Sequence, residues 1–215
     1  TISITAPTAG ATITNNKPAI TWTVTDDDSG VDPATISIKI DSGAVITSDI
    51  TKTISGKGYT CSYTPSTALA DGSHTITVNA KDYDGNAASA KTVTFKVDTV
   101  PPTLSVASPA EGLITNNATL TVAGTTNDVT SSPVTLTVNG TAVTVGSDGA
   151  FSTKITLTNG SNTITVVATD SAGKSTTVTR HVTLDTAPPV IKAVSITPNP
   201  VDAGKTFVIS VEVTD

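Results

Sequence analysis

Four carboxylates crowd one short segment, residues 26–33, near the front of the chain. The acidic residues of the segment are Asp26, Asp27, Asp28 and Asp32. Hard cations such as Ca²⁺ take about six to eight oxygen ligands from carboxylates and carbonyls, and the hydroxyl of Ser29 and the backbone around Gly30 add further oxygens. Like charges at this density repel one another unless they are solvated, screened or bound to a cation. The segment is therefore a candidate calcium site, and the alternative is a solvated acidic loop with Asx-turn hydrogen bonds.

A second acidic turn, Asp-Tyr-Asp-Gly-Asn at residues 82–86, has a superficial likeness to the start of a calcium-binding loop. The EF-hand loop requires Gly at its sixth position and Glu at its twelfth, whereas this chain has Ala87 and Val93 there. A second copy of the segment keeps the first Asp, as Asp170, and the Gly, as Gly173, but not their neighbours. We interpret the shared Asp and Gly as turn geometry.

Asp98 and Asp185 each precede a pair of prolines, in the runs Asp-Thr-Val-Pro-Pro and Asp-Thr-Ala-Pro-Pro. An aspartate at such a linker can bridge neighbouring domains through a cation. It can also cap a turn before a stiff linker. Both alternatives stay open from the sequence.

The residue types that most often carry catalysis are sparse. The histidines are His74 and His181, each in a threonine-rich strand pattern, and the glutamates are Glu111 and Glu212. The sequence contains no Gly-x-Ser-x-Gly elbow, no His-Glu-x-x-His helix and no phosphate-binding glycine loop. We therefore expect the histidines to be solvated strand positions, and we predict no catalytic residue and no enzymatic activity.

Charge, apolar run length and aromatic content disfavour nucleic acid, a membrane span and carbohydrate as partners of this segment. The formal net charge is −6, whereas nucleic-acid binders usually carry a basic stripe, so nucleic acid is not expected as a partner. No apolar run approaches the roughly 18 residues that a membrane-spanning helix needs. Aromatic residues make up only 3% of the chain, which leaves few rings to stack on sugars. The period-two pattern predicts that two of these rings, Trp22 and Phe95, are buried in the core.

A repeat reveals the domain organisation. Residues 72–86 return as residues 160–174, and each copy continues into one of the two Pro-Pro junctions. The fronts match as well, since Ile-Thr-Asn-Asn occurs at 13–16 and again at 114–117. A period of about 90 residues is the length of one small β-sandwich and is too long for a solenoid. The predicted domains are 1–98, 99–186 and an incomplete third unit at 187–215.

Apolar residues alternate with threonines at a period of two, which predicts strands with one face in a core and the other in water. Asn-Gly and Asp-Gly pairs mark the turns between them. The predicted fold class is all-β, with antiparallel sandwiches. The expected core residues are Trp22, Ile38, Ile76, Val78, Phe95 and Val97 in the first domain, and Val122, Leu136, Ile164, Val166 and Val182 in the second. Cys61 alternates with Tyr59 and Tyr63 on one strand face, so we expect a buried, unreactive thiol.

The Pro-x-x-Gly fronts, the Gly-Ser-x-Thr-Ile stretches and the Asp-Thr-x-Pro-Pro linkers together resemble bacterial immunoglobulin-like repeat modules. The resemblance implies tandem immunoglobulin-like sandwiches of the kind found in surface adhesins, secreted polysaccharide-degrading enzymes and phage tails or fibres. It implies a non-enzymatic spacer or adhesion segment of an extracellular or virion-associated bacterial protein, with adjacent modules of the same chain as partners. The alternatives are a module that binds a cell-surface glycan or protein, and an accessory domain of a secreted enzyme.

Overall fold

The computed structural model describes residues 1–197, 203–204 and 206–214. Within that part of the chain every regular element is a β-strand, and no helix has the length and hydropathy that a membrane span requires. These strands form five sheets, of which two pairs make sandwiches and the fifth is a hairpin. The predicted all-β fold class is confirmed.

The first sandwich contains strands β1 to β8. Their bounds are β1 (Ile2–Ala6), β2 (Thr12–Ile13), β3 (Ile20–Val24), β4 (Val31–Ile40), β5 (Thr51–Ser55), β6 (Gly58–Tyr63), β7 (Gly72–Asp82) and β8 (Lys91–Val97). One sheet has the order β1-β3-β6-β5 and the other the order β2-β8-β7-β4. The pairings are antiparallel except for that of the short β2 with β8, which is parallel.

The core of the first sandwich lies between these two sheets. Burial alternates strictly along β3, because Ile20, Trp22 and Val24 face inward while the threonines between them do not. All six residues predicted for this core are at most 1% exposed. Cys61 is buried in the same core, as predicted.

The second sandwich repeats the design with strands β9 to β16. Their bounds are β9 (Thr103–Ser108), β10 (Leu113–Thr115), β11 (Thr119–Asn127), β12 (Thr135–Val138), β13 (Thr141–Val143), β14 (Ala150–Thr156), β15 (Gly160–Thr169) and β16 (Ser175–Leu184). The sheet orders are β14-β11-β9 and β10-β16-β15-β12-β13, with β10 and β16 parallel. All five residues predicted for this core are at most 2% exposed.

The turn between β12 and β13 shows why the sequence folds locally as it does. Asn139 and Gly140 have φ values of 48° and 79°, a left-handed backbone that Asn and Gly adopt at little cost. Two such residues in succession make the primed turn whose twist matches the flanking strands. The Asn-Gly signal therefore fixes this hairpin.

Beyond the second sandwich, β17 (Val190–Thr197) and β18 (Val208–Thr214) form an antiparallel hairpin. These are the two strands predicted for the third unit. Side chains on both faces of the hairpin are exposed, including the apolar residues Ile191, Val194 and Val211. Of the residues predicted for this unit, 198–202, 205 and 215 lie outside the described part of the chain.

The expectation that both histidines are solvated is wrong for His74. This residue on β7 is 8% exposed, and its ring lies beside Phe95 with 5.8 Å between the ring centroids. Its Nδ1 is 2.8 Å from Asp41 Oδ2 and its Nε2 is 2.7 Å from the Ala70 carbonyl oxygen. The imidazole is buried because both ring nitrogens find partners within the fold. His181 on β16 is exposed, as expected.

Candidate functional site

The connection between the two sandwiches, residues 98–102, is fastened at both ends. On the side of the first sandwich, Asp71 Oδ1 accepts hydrogen bonds from the Thr99 amide at 3.0 Å and the Thr99 hydroxyl at 2.9 Å. On the side of the second, the Thr176 hydroxyl donates to the Pro102 carbonyl at 2.5 Å. The linker is thus a structured part of the molecule.

Asp98 begins this linker, directly after β8, and is 0% exposed. Its amide donates to the Ile13 carbonyl at 2.9 Å. Its Oδ1 accepts the Val100 amide at 3.2 Å, and its Oδ2 accepts the hydroxyl of Ser131 from the second sandwich. Asp98 therefore caps the linker turn, as one of its two alternatives predicts, and it also accepts a hydrogen bond from the neighbouring domain.

Asp128 and Ser131 come from the turn that follows β11. Asp128 Oδ1 accepts the amides of Thr130 at 2.8 Å and of Ser131 at 2.6 Å, which makes an Asx turn. This turn holds the Ser131 hydroxyl at Asp98. Asp128 is 8% exposed and Ser131 is 1% exposed.

Asp170 follows β15 in a turn of the same second sandwich. Its Oδ1 accepts the Lys174 amide at 2.9 Å, and its own amide donates to the Lys174 carbonyl at 3.0 Å. The residue is 5% exposed, and its Oδ2 is inaccessible to solvent and has no hydrogen-bond partner. A buried acceptor without a partner loses its hydration without compensation.

The carboxylates of Asp98, Asp128 and Asp170 converge at the junction. One oxygen from each lies within 4.8 Å of one from each of the others, and no other cluster of this kind occurs among the described residues. The side-chain ion pairs among the described residues are His74–Asp41 and His181–Glu111. None of the three aspartates of the cluster therefore has a cationic side-chain partner there. Two charges within 4.8 Å of one another repel by at least roughly 3 kcal/mol at an effective dielectric constant of about 20.

The loop predicted as a calcium site is arranged differently. Asp26 Oδ2 accepts the amides of Asp28 at 3.1 Å and Gly30 at 2.8 Å, and Asp32 Oδ1 accepts the amide of Ala34 at 2.9 Å. These are the Asx-turn bonds of the alternative interpretation. The structure does not bring three of the four carboxylates together.

Lys57 contributes a cation of its own to this loop. Its Nζ donates to the carbonyl oxygens of Asp27 at 3.0 Å and of Asp28 at 2.7 Å, so two backbone oxygens that a calcium ion would use already have a partner. Calcium binding by Asp26, Asp27, Asp28 and Asp32 stays a prediction.

The two sandwiches carry matching acidic turns. The Tyr83 amide donates to the Gly30 carbonyl at 3.1 Å in the first sandwich, and the Ser171 amide donates to the Ser131 carbonyl at 3.1 Å in the second. The amide of Gly30 donates to Asp26 and the amide of Ser131 donates to Asp128. Asp26 in the first sandwich therefore corresponds to Asp128 in the second.

Asp82 corresponds in the same way to Asp170. Its Oδ1 accepts the Asn86 amide at 2.7 Å, as Asp170 Oδ1 accepts that of Lys174. The hydrogen bonds that Asp82 receives, first that from the Asn86 side chain, lower its pKa.

Sequence reasoning missed Asp128 and did not treat Asp170 as a ligand. The repeat does single out Asp170, because it aligns with Asp82, but the shared Asp and Gly were sufficiently explained by the geometry of a turn. Asp185 at the second linker has the backbone bonds of Asp98, since its amide donates to the Thr115 carbonyl at 2.9 Å and its Oδ1 accepts the Ala187 amide at 3.0 Å.

Comparison with protein families now places these modules. Residues 1–78 match the family model of the bacterial Ig domain, and residues 102–186 match that of glucodextranase domain B. The resemblance to bacterial immunoglobulin-like modules is thereby confirmed. A search of curated proteins found no match to this sequence.

Solved structures with related folds come from several kinds of protein. The I-band fragment I67–I69 of titin is 13% identical, with 89% of this chain and 68% of that chain covered and a TM-score of 0.50. The fibronectin(III)-like modules of Clostridium thermocellum CbhA are 19% identical, with 86% and 94% covered and a TM-score of 0.45. At 13% identity the likeness to the titin fragment shows only the fold, which is the immunoglobulin-like β-sandwich.

Proposed function

We propose that this chain, whose residues 1–78 match the model of the bacterial Ig domain, is a non-enzymatic spacer or adhesion segment of a larger extracellular or virion-associated protein. In this function it holds distal domains away from an anchor, and its immediate partners are the adjacent modules of the same chain. Immunoglobulin-like domains generally act without catalysis. The observation that carries the proposal is the linker, which is short and hydrogen-bonded to both sandwiches.

The linker retains little conformational freedom. Pro101 and Pro102 have φ fixed near −65° by their rings. The Thr99–Asp71 bond ties the start of the linker to the first sandwich, and the Thr176–Pro102 bond ties its end to the second. A flexible linker of the same length, rich in glycine and serine, would sample many orientations. A fixed angle between modules lets a string of them transmit position over a distance.

The proposal is tested by single-molecule energy transfer between the sandwiches. Dyes are placed at Thr53→Cys and Ser152→Cys, which are exposed strand positions on the first and second sandwich, in a Cys61→Ala background. The expected result is one narrow distribution of transfer efficiency. Replacing Pro101 and Pro102 together by Gly should broaden it.

The matched control replaces the equivalent prolines Pro188 and Pro189 by Gly. These lie after the second sandwich rather than between the two, so the distribution should stay narrow. If the unaltered linker gives a distribution as broad as the Pro101→Gly, Pro102→Gly variant, the two sandwiches move independently and the spacer proposal fails.

A second candidate function is favoured by the family match of residues 102–186 to glucodextranase domain B. In this alternative the chain is an accessory module beside the catalytic domain of a secreted enzyme, or binds a glycan or protein ligand directly. Among its rings Tyr83 is 64% exposed, whereas Trp22 and Phe95 are buried. Calorimetric titration with a panel of soluble polysaccharides distinguishes the candidates, because binding that Tyr83→Ala abolishes would favour the second.

A further inference from the structure

We propose that Asp98, Asp128 and Asp170 bind a divalent cation, Ca²⁺ by its chemistry, and that this ion joins the linker to the second sandwich. The inference goes beyond the spacer function and does not depend on it, since an ion can bind here whatever the modules hold apart. It is carried by the geometry of three carboxylates that two parts of the chain bring to one place.

Each of the three carboxylates is oriented by its own turn. The Oδ1 atoms of Asp98, Asp128 and Asp170 all accept backbone amides of their own turns. Those bonds fix the side chains. The second oxygen of Asp98 accepts the Ser131 hydroxyl, and the second oxygens of Asp128 and Asp170 accept no hydrogen bond from the described protein groups. For Asp170 that second oxygen is buried and has no partner in the protein. A bound cation would satisfy it.

The three carboxylates have no cationic side chain among the described residues to balance them. Each of the three residues is at least nine-tenths buried, and in the described part of the chain none of them pairs with a lysine, arginine or histidine. Buried charges are normally paired or coordinate a metal. The available donors are carboxylates and the Ser131 hydroxyl, with no cysteine or histidine, so the site suits a hard cation rather than zinc.

The repeat shows what distinguishes the second sandwich from the first. The first sandwich has the same two turns, with Asp26 and Asp82 in the places of Asp128 and Asp170. Asp82 is half-buried, whereas Asp170 is buried. The two turns of the second sandwich differ from those of the first in having a linker in front of them, and this linker brings Asp98 to the second sandwich. The complete site is therefore a product of the junction and not of a single module.

Ca²⁺ fits this donor set better than Mg²⁺. Calcium tolerates irregular geometry and replaces water readily, whereas magnesium demands a near-ideal octahedron and retains several waters. The three aspartates and Ser131 are each at most 8% exposed, which leaves little room for retained waters beside them. We expect Mg²⁺ to have a smaller effect than Ca²⁺ at equal concentration.

The experiment is calorimetric titration and a thermal scan of the 215-residue chain with CaCl₂ against EDTA at constant ionic strength. Extracellular calcium modules have dissociation constants of about 0.1–1 mM. At a calcium concentration ten times the dissociation constant, linkage raises the folding constant about ten-fold. For a domain of this size that corresponds to roughly 5–10 °C in the melting of the second sandwich.

The critical variant is Asp170→Asn, in which the amide oxygen can still accept the Lys174 amide. It should lose the calcium-dependent shift, yet in EDTA it should melt no lower than the unaltered chain because one repelling charge is gone. Asp82→Asn is the matched control in the equivalent turn and should keep the shift. Asp98→Asn should behave as Asp170→Asn does, although it belongs to the other side of the junction.

Two outcomes would overturn the proposal. One is no heat of binding and no change in melting with 10 mM Ca²⁺, a concentration about ten-fold above the weakest of these constants. The other is a shift that survives in Asp170→Asn but disappears in Asp27→Ala, which would place the ion in the 26–33 loop. Neither result bears on the linker measurement above, so the two proposals fail separately.

Discussion

Replacing Ile164 by Ala tests the register of the second core quantitatively. Ile164 lies on β15, is 0% exposed and belongs to the core cluster with Val122, Leu136 and Val182. The change removes Cγ1, Cγ2 and Cδ1, which costs about 2.4 kcal/mol in transfer free energy at about 0.8 kcal/mol per buried carbon. The residual cavity adds to this, so the total should lie within the roughly 2–5 kcal/mol range for such truncations.

The assay is calorimetric and urea unfolding of the full chain, with far-UV circular dichroism. A loss of this size lowers the melting temperature of the second sandwich by at least about 10 °C. The transition followed by fluorescence of Trp22, which is buried in the first sandwich, should not move because each sandwich has its own core. Ile114→Ala serves as the control, since Ile114 is 70% exposed in the same domain. A cost under about 0.5 kcal/mol for Ile164→Ala, the level of a surface change, would refute the assigned register.

Three further predictions concern other parts of the chain. Burial raises the pKa of the Cys61 thiol to about 11, against the opposing effect of Lys52; about a thousandth of it is ionised at pH 8, so a thiol reagent should not label the native protein. Burial opposes protonation of His74, but hydrogen bonds to Ala70 and Asp41 outweigh it and raise the pKa. The resulting stability of the first sandwich is present below about pH 6.5 and is lost as pH rises through the folded pKa, so melting should fall across that window and Asp41→Asn should flatten the dependence. Deleting residues 190–215 should leave both melting transitions unchanged, because the described strands of the hairpin are exposed and share no core with either sandwich.

Each of these has a clear contrary result. Complete labelling of Cys61 within minutes in the absence of denaturant, as fast as in guanidinium, would contradict a buried thiol. A Trp22-monitored melting temperature that rises from pH 6.5 to 8, or a slope unchanged by Asp41→Asn, would contradict the effect assigned to His74. Unfolding of the second sandwich on deletion of 190–215 would mean that the hairpin contributes a working strand to it.

The sandwich cores could be predicted from the sequence because period-two burial is a local property. In a strand, alternate side chains face opposite sides, so Ile20, Trp22 and Val24 had to be buried together if any was. Turn signals such as Asn139-Gly140 are local as well. His74 occupies an inward position of β7, but its burial depends on Asp41 and Ala70, which lie elsewhere in the chain. A pattern of spacing does not reveal such a pairing.

The cluster at the junction could be predicted only in part. Asp98 stood out because it precedes two prolines, and Asp170 because it repeats Asp82. Their convergence with Asp128 depends on how the second sandwich sits on the linker, over separations of 30 residues (98 to 128) and 72 residues (98 to 170). The crowding of acidic residues at 26–33 was the stronger signal along the chain. In the folded protein the loop 26–33 is held by hydrogen bonds from backbone amides and from Lys57. The carboxylates of Asp98, Asp128 and Asp170, which are far apart in sequence, converge instead.

The parallel pairing of β2 with β8, and of β10 with β16, determines how the modules respond to force. In each sandwich the first strand of the pair lies near the entry of the chain and the second near its exit. Tension along the chain pulls such strands in opposite directions along their axes, so the bonds between them are sheared together rather than opened one after another. In the first sandwich these bonds include Lys96 amide to Ala11 carbonyl at 2.8 Å and Asp98 amide to Ile13 carbonyl at 2.9 Å. The bond nearest the linker is donated by the amide of Asp98, and the carboxylate of the same residue accepts the Ser131 hydroxyl of the second sandwich. A ligand bound by that carboxylate would therefore be held by a residue that carries the shearing tension between β2 and β8.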